Sequence, residues 1–380
     1  MSEQQRRIYL DHAATTPLAP EVFSAMEPWL REEYANPSSA HTPGYRARRA
    51  IDDARTTIAR FLHCSPQELV FTAGGTESIN MALLGAARHL GRGHIVTTAI
   101  EHPAVLDTCR ALEREGFELT IVPVAPNGIV NPQQFVAAVK ETTILVSMMM
   151  VNNEIGTIQP VTETVQLVKA VNSKILFHTD ACQATESQPL DMGKLGVDLL
   201  SINASKVYGP KGVGALYVKR GVTLRPLLYG GHQEHGLRPG TENVAGIVGF
   251  AAALQLVHAE QQQENMRLTQ LRDRLMDAIL SAIPHSRLNG DRTRRVPNNL
   301  NVFIPEVDGE ALLLHLDQEG IAASLGSACT AGSLEPSHVL LALGYARQDA
   351  RRSLRLTLGR STTIEDVDYV VRALAKIVQK

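Results

Sequence analysis

Between residues 69 and 220, short apolar β-rich runs alternate with stretches of helical periodicity, and that alternation restricts the fold more than any other feature. LVFT (69–72) is an apolar run that turns at Gly74-Gly75 into an amphipathic stretch over 76–89. HIVTTA (94–99) reads as the next strand, followed by a helix with Pro103 in its first turn, where proline is tolerated. FELTIVPV, TTILVSMMM, KILFHTD and VDLLSIN read as further buried strands, with helices over about 132–141 and 161–172. Strands separated by helices of this length predict βαβ units and a mostly parallel sheet covered on both faces. The predicted fold class is therefore α/β, with residues 13–250 as the large domain.

A long helical run from Val244 to about Ala282 leaves that sheet. After it come RLNGDRTRRVPNNLNVFIP, a helix over about 309–320, a Gly/Ser/Ala loop at about 324–333, the strand SLRLTLG and a terminal helix. Together with the first dozen residues these predict a smaller α+β domain, 1–12 and 251–380. Arg292, Arg294 and Arg295 read as a solvated loop.

Composition narrows the function. Lys+Arg 37 against Asp+Glu 39 leaves a net charge of -2, so bulk charge gives no reason to expect direct nucleic-acid contact. Trp29 is the single tryptophan, which leaves the core to aliphatic residues. No uninterrupted apolar run approaches the roughly 18 residues needed to span a bilayer, so no membrane role is expected. MSEQQRRIYLDHAATTP has no apolar run before a small-residue cleavage site, so no secretory signal is expected. Cys64, Cys109, Cys182 and Cys329 lie far apart without CxxC pairs, which predicts reduced thiols, a cytoplasmic setting and no metal site.

In open parallel sheets, ligands bind outside the carboxyl ends of the strands. Ala73-Gly74-Gly75-Thr76 follows the first strand and opens a helix, where backbone N–H groups and a hydroxyl suit an anion. It matches neither GxGxxG nor GxxxxGK[ST]. Glu101-His102-Pro103, Asn152-Asn153-Glu154, Asp180 with Cys182 and Gln183, and Ser205-Lys206 follow the others. An anion cradle, a His, an Asn, an Asp and a Lys at one sheet edge match the needs of pyridoxal 5'-phosphate: a phosphate site, a ring contact, an acid for the pyridine nitrogen and an amine for the aldehyde.

The motifs YLDHAATTP, NPSSAH, FTAGGTES, EHPAV, VNNEIG, HTDACQ, YGPKGVGALYV, RPGTENV and SLGSACTAGSLEPSHVL resemble those of the NifS/IscS cysteine desulfurases, in order and over essentially the whole chain. The resemblance implies the fold type I architecture of aminotransferases, a large domain with a mostly parallel seven-stranded sheet, a homodimer, and pyridoxal 5'-phosphate as cofactor. It implies L-cysteine as substrate, alanine as product, and sulfur held as a persulfide before transfer to an acceptor protein. Iron–sulfur scaffolds, tRNA thiolation, nitrogenase maturation and DNA phosphorothioation all draw on this family.

Residue by residue, the resemblance makes Lys206 the Schiff-base lysine, in preference to Lys211 in GPKG. Asp180 would pair with the pyridine nitrogen, and His102 would stack on the ring and assist proton transfer. Gly75 and Thr76 would hold the phosphate, with Asn203 and Ser205 also in phosphate-contacting places. Asn153 would meet the cofactor edge and the substrate, Gln183 would reach the phenolic oxygen, and Thr241 would reach the phosphate across the dimer interface. In SLRLTLG, period two sets Arg355 opposite the leucines. A guanidinium there can form a bidentate pair with a substrate carboxylate, as the family's arginine does.

Cys329 lies in GSACTAGS, a stretch of small residues flanked by glycines, and the resemblance makes it the persulfide-forming thiol. Cys109 falls within a helix, Cys64 near a turn, and Cys182 reads as a packed residue beside the cofactor. Where the family commonly has SGHK, this chain has Asn203-Ala204-Ser205-Lys206, and His12 replaces the commoner Asn. Two rivals stay open on sequence: another fold type I enzyme, such as an aminotransferase or selenocysteine lyase, and a non-catalytic scaffold of a sulfur-transfer complex.

Overall fold

The computed structural model describes residues 7–305, 307–325 and 335–379. After β1 (Ile8–Tyr9), two helices, Pro20–Arg31 and Thr42–Phe61, precede β2 (Leu69–Thr72). Both carry proline in the first turn, and His41 caps the second by accepting from the Gly44 N–H. Sequence periodicity did not single them out, because their polar faces are dense in Arg, Glu and Asp. Their narrow apolar stripes, Val22 and Met26 on one and Ala47, Ile51, Ala54 and Ile58 on the other, are buried.

Next come β3 (His94–Thr98), β4 (Glu118–Val122), β5 (Thr143–Ser147), β6 (Leu176–Asp180), β7 (Leu199–Asn203) and β8 (Gly214–Val218). The sheet has the expected seven strands, in the order β2-β8-β7-β6-β5-β3-β4. β4, β3, β5, β6 and β7 run parallel; β8 is antiparallel to both β7 and β2. Every residue of β3 is buried, as befits a strand covered on both faces. The helices Gly75–Leu90, Pro103–Arg114 and Val161–Val171 lie where periodicity set them. The helix expected over 132–141 stops at Ala137, and the Lys140 N–H donates to the Thr143 hydroxyl oxygen at 2.8 Å instead of continuing the helical ladder. Strand order reverses around β3 and β5, so the loops leaving those two strands flank a crevice.

A second, antiparallel sheet of β9 (Arg287–Leu288), β10 (Asn299–Phe303) and β12 (Ser353–Thr357) lies beyond. β1 pairs in parallel with β11 (Ile321–Ala322), which ties the start of the chain to its last third. Ile8, Leu10, Leu300, Leu354 and Leu356 share one buried cluster there. The helix Val244–Ala282 bridges the two cores: Phe250 and Leu254 pack under the large sheet, whereas Leu275 and Ile279 pack with β10 and β12. This helix is long and apolar enough to cross a membrane by composition, but half of its most apolar stretch is buried inside the protein, as for any core helix.

Candidate active site

A 380 Å³ cavity opens at the carboxyl ends of β3, β5, β6 and β7. Gly75, Thr76, His102, Asn153, Asp180, Gln183, Asn203, Lys206 and Arg355 all line it. These come from six stretches of the chain: five lie at or just after the ends of strands of the large sheet, and Arg355 comes from β12 of the second sheet.

The cradle at one end follows from local geometry. Gly74 has φ 151° and ψ -175°, a conformation essentially confined to glycine, and it caps the helix Gly75–Leu90. A Cβ on Gly75 would lie 2.8 Å from Cys182 Sγ and 3.3 Å from Asn203 Nδ2, so the backbone reaches the cavity only because that side chain is absent. Asn203 Oδ1 is buried without a partner among the described residues. Its carboxamide can offer an acceptor or, turned over, an N–H donor.

The reactive groups line the same opening. Lys206 sits in a 3-10 turn just past β7, and its Nζ donates to the Ala14 carbonyl at 2.5 Å. Gln183 Nε2 donates to the Ala13 carbonyl at 2.9 Å. Asp180 ends β6, buried, and its Oδ1 accepts from the Cys182 N–H at 2.9 Å. His102 caps the helix Pro103–Arg114: its Nδ1 accepts from the Ala104 N–H at 3.0 Å, so the neutral ring carries its proton on Nε2. Burial and the nearby Lys206 and His338 push His102 below the usual histidine range, against a smaller upward pull from Asp180. The ring is therefore a neutral acceptor-donor at physiological pH.

Arg355 is 1% exposed, with the leucines of β12 on the opposite face as the alternation predicts. It is no surface ion pair: Nη2 donates to Asp11 Oδ1 at 2.8 Å and Nη1 to the Asn153 carbonyl at 3.1 Å. The loop bearing Asn153 is held by the Asn152 side chain, which accepts from the Glu154 and Ile155 N–H groups. One expectation fails here. Arg292 and Arg294 are exposed, but Arg295 is buried and donates through Nη2 to the Ile155 carbonyl at 3.0 Å. Burial beside Arg272 lowers its pKa to about 9. It braces the loop after Asn153 because its own backbone bridges to Thr157, which brings the side chain against that loop.

Other expected residues stand apart. Ser205 is half-buried and outside the cavity lining; its carbonyl accepts from the Thr16 N–H at 2.9 Å. Thr241 is exposed, away from the cavity. Cys329 lies outside the described residues. Cys109 is fully buried and its thiol is pushed up to about 12; burial raises Cys64 to about 12 as well. Cys182 is packed behind the Gly75 turn, with burial pushing its thiol far up, which suits a packed residue and not a nucleophile.

Sequence reading missed Asp11, Ala13 and Ala14, whose backbone or carboxylate holds three of the site's side chains. It also missed two buried carboxyl groups. Glu101 is fully buried, accepts from the Met149 N–H and the Thr98 hydroxyl at 2.8 Å each, and is pushed up to about 8 by burial. Glu154 lines the cavity and is also raised by burial, against the pull of the Ser337 hydroxyl, His338 and Arg355. The signal for both was their place directly beside His102 and Asn153.

The aminotransferase class-V family model matches residues 8–370. Cysteine desulfurase IscS of Dictyoglomus turgidum is 49% identical over 378 residues, covering 99% of this chain and 95% of its own. The IscS cysteine desulfurase of Methanosarcina thermophila is 48% identical over 383 residues, covering 100% of this chain and 94% of its own. A solved NifS-like protein superimposes with a TM-score of 0.93 at 38% identity, over 98% of this chain and 100% of that one. A structure of SspA in complex with cysteine gives 0.81 at 37% identity, over 92% and 98%. With the cavity residues arranged as described, these likenesses show that the chain belongs to the class-V aminotransferases, which are pyridoxal phosphate-dependent, and within them to the IscS/NifS cysteine desulfurases.

Proposed function

We propose that the protein converts L-cysteine to L-alanine and captures the sulfur as a persulfide on Cys329. The observation that carries this reading is the meeting of Lys206, Asp180, His102 and Arg355 on one cavity. Pyridoxal phosphate fits the residues present. The Gly75 turn leaves the room a side chain would fill, and Asn203 Nδ2, an N–H donor suited to an anion, lies beside that space. Gly75, Thr76 and Asn203 would hold the phosphate, Asp180 the pyridine nitrogen, Gln183 the phenolic oxygen and Lys206 the aldehyde carbon, with His102 against the ring. When bound, the group supplies an electron sink for the bonds around the substrate Cα.

The chain's own residues do the rest. Arg355 holds the substrate carboxylate beside Asn153 and so fixes which Cα bond faces Lys206. Lys206, carried at the Ala14 carbonyl, moves the Cα proton, and neutral His102 is poised to relay one. The Cys329 thiolate attacks the substrate sulfur: the C–S bond breaks, an S–S bond forms, and the carbon skeleton takes a proton and leaves as alanine. Ser205 supports the lysine turn from outside the cavity, through its backbone.

Further readings accompany this one. The chain divides into a large domain, 13–250, and a small domain, 1–12 with 251–380, and it works as a cytoplasmic homodimer. In that dimer exposed Thr241 would reach the partner's phosphate. The persulfide passes to an acceptor protein, with iron–sulfur cluster assembly favoured by the IscS names of the relatives. Product analysis tests the chemistry: alanine from L-cysteine supports it, whereas a keto acid would indicate transamination.

A further inference from the structure

Ser324 and Ser337, which lie on either side of 326–334, are both fastened to residues that line the substrate cavity. Ser324 exchanges backbone hydrogen bonds with Arg355, at 3.2 and 2.7 Å. On the far side, the Ser337 hydroxyl donates to Glu154 Oε2, and both side chains are buried. Ser337 also caps the helix His338–Ala342, accepting from the Leu340 N–H at 3.2 Å. The next residue, His338, donates from Nε2 to the Glu101 carbonyl at 2.9 Å, one residue before His102. Glu154 is itself held rigidly: Asn152 Oδ1 accepts its N–H and Asn301 Nδ2 donates to its carbonyl at 3.0 Å.

A buried carboxyl is costly, and a neutral side chain of similar size would fill the space without that cost. What Glu154 supplies is a buried carboxyl acceptor, met among the described residues by the Ser337 hydroxyl. We infer that Glu154 and Ser337 are positioning residues for sulfur transfer, fixing the chain beyond Cys329 in register with the substrate carboxylate held by Arg355. The inference rests on the desulfurase reading. Neither residue is assigned to the Cα proton step or to holding the cofactor. Losing their contact should therefore leave early events intact and slow the one step that needs the thiol in place.

The test uses full-length, cofactor-loaded protein with Ser337→Ala, Ser337→Thr and Glu154→Gln. Cofactor absorption and its change on adding L-cysteine report binding, and alanine release reports turnover. A displaced reactive group costs up to about 100-fold, so kcat should fall by about 10- to 100-fold in Ser337→Ala and Glu154→Gln. The L-cysteine concentration giving a half-maximal spectral change should stay within about twofold, and Ser337→Thr, which keeps the hydroxyl, should recover most of kcat. Unchanged kcat in both variants overturns the inference. So does a parallel loss of cofactor occupancy and turnover that threonine fails to rescue, which would mark a purely structural contact. Wild-type protein that makes no alanine would instead sink the desulfurase reading itself.

Discussion

Asp11 and Arg355, 344 residues apart in sequence, form an ion pair in which the guanidinium side chain is 2% exposed and the carboxylate 19%. The pair sits where β1, β11 and β12 converge, so the start of the chain sets the direction in which the substrate-facing guanidinium points. Removing one partner of a buried pair leaves the other uncompensated. Discounted for the partial exposure of Asp11, Asp11→Asn should cost about 1–3 kcal/mol in chemical denaturation. No loss would mean the pair is energetically idle.

Arg355→Lys keeps the charge and loses the fork that matches a carboxylate. We expect KM for L-cysteine to rise by about 10-fold or more, with the bound-cofactor spectrum unchanged. Steady-state kinetics on cofactor-saturated enzyme check this, and an unaltered KM would remove Arg355 from substrate binding.

Gly75→Ala should overpack the phosphate turn at a cost of about 1–3 kcal/mol and release cofactor on dialysis. The obstruction is specific, since the new Cβ would meet Cys182 Sγ at 2.8 Å. Combining Gly75→Ala with Cys182→Ala removes that sulfur and should recover much of the cofactor retention. Strict additivity of the two changes would contradict the packing described.

Much of this was written in the chain, and what was missed has physical reasons. The buried parallel strands read cleanly because continuous apolar runs are what a sheet covered on both faces needs, and the residues after them are the site. β8 escaped periodicity because its strand, GALYV, opens on glycine and turns antiparallel; only the family resemblance supplied the seventh strand. The contacts of Ala13 and Ala14 are made by backbone carbonyls, which carry no side-chain signal. Arg295 looked solvated because charge clusters usually are, and only tertiary structure turned one of the three arginines inward.

Two buried groups give the stability an opposing pH dependence. Burial holds His178 down to about 4 from 6.5, so its contribution is present above pH 6.5 and is lost as pH falls toward 4. Glu101 is raised to about 8 from 4.5, so its contribution is complete below pH 4.5 and disappears as pH rises through 8. Between pH 6.5 and 8 only the second acts, at up to about 1.4 kcal/mol per pH unit. Denaturation at pH 6.5 and 8 should therefore show wild type losing stability relative to Glu101→Gln. Parallel profiles would mean Glu101 is ionised throughout.

The most direct test of the account adds one equivalent of L-cysteine to purified, cofactor-loaded protein, followed by mass spectrometry of the cysteine-containing peptides and alanine quantification. We predict one extra sulfur on the Cys329 peptide with matching alanine, no label on Cys64, Cys109 or Cys182, and loss of both products in Cys329→Ala. Sulfur on a different cysteine, or undiminished alanine from Cys329→Ala, would contradict the central claim.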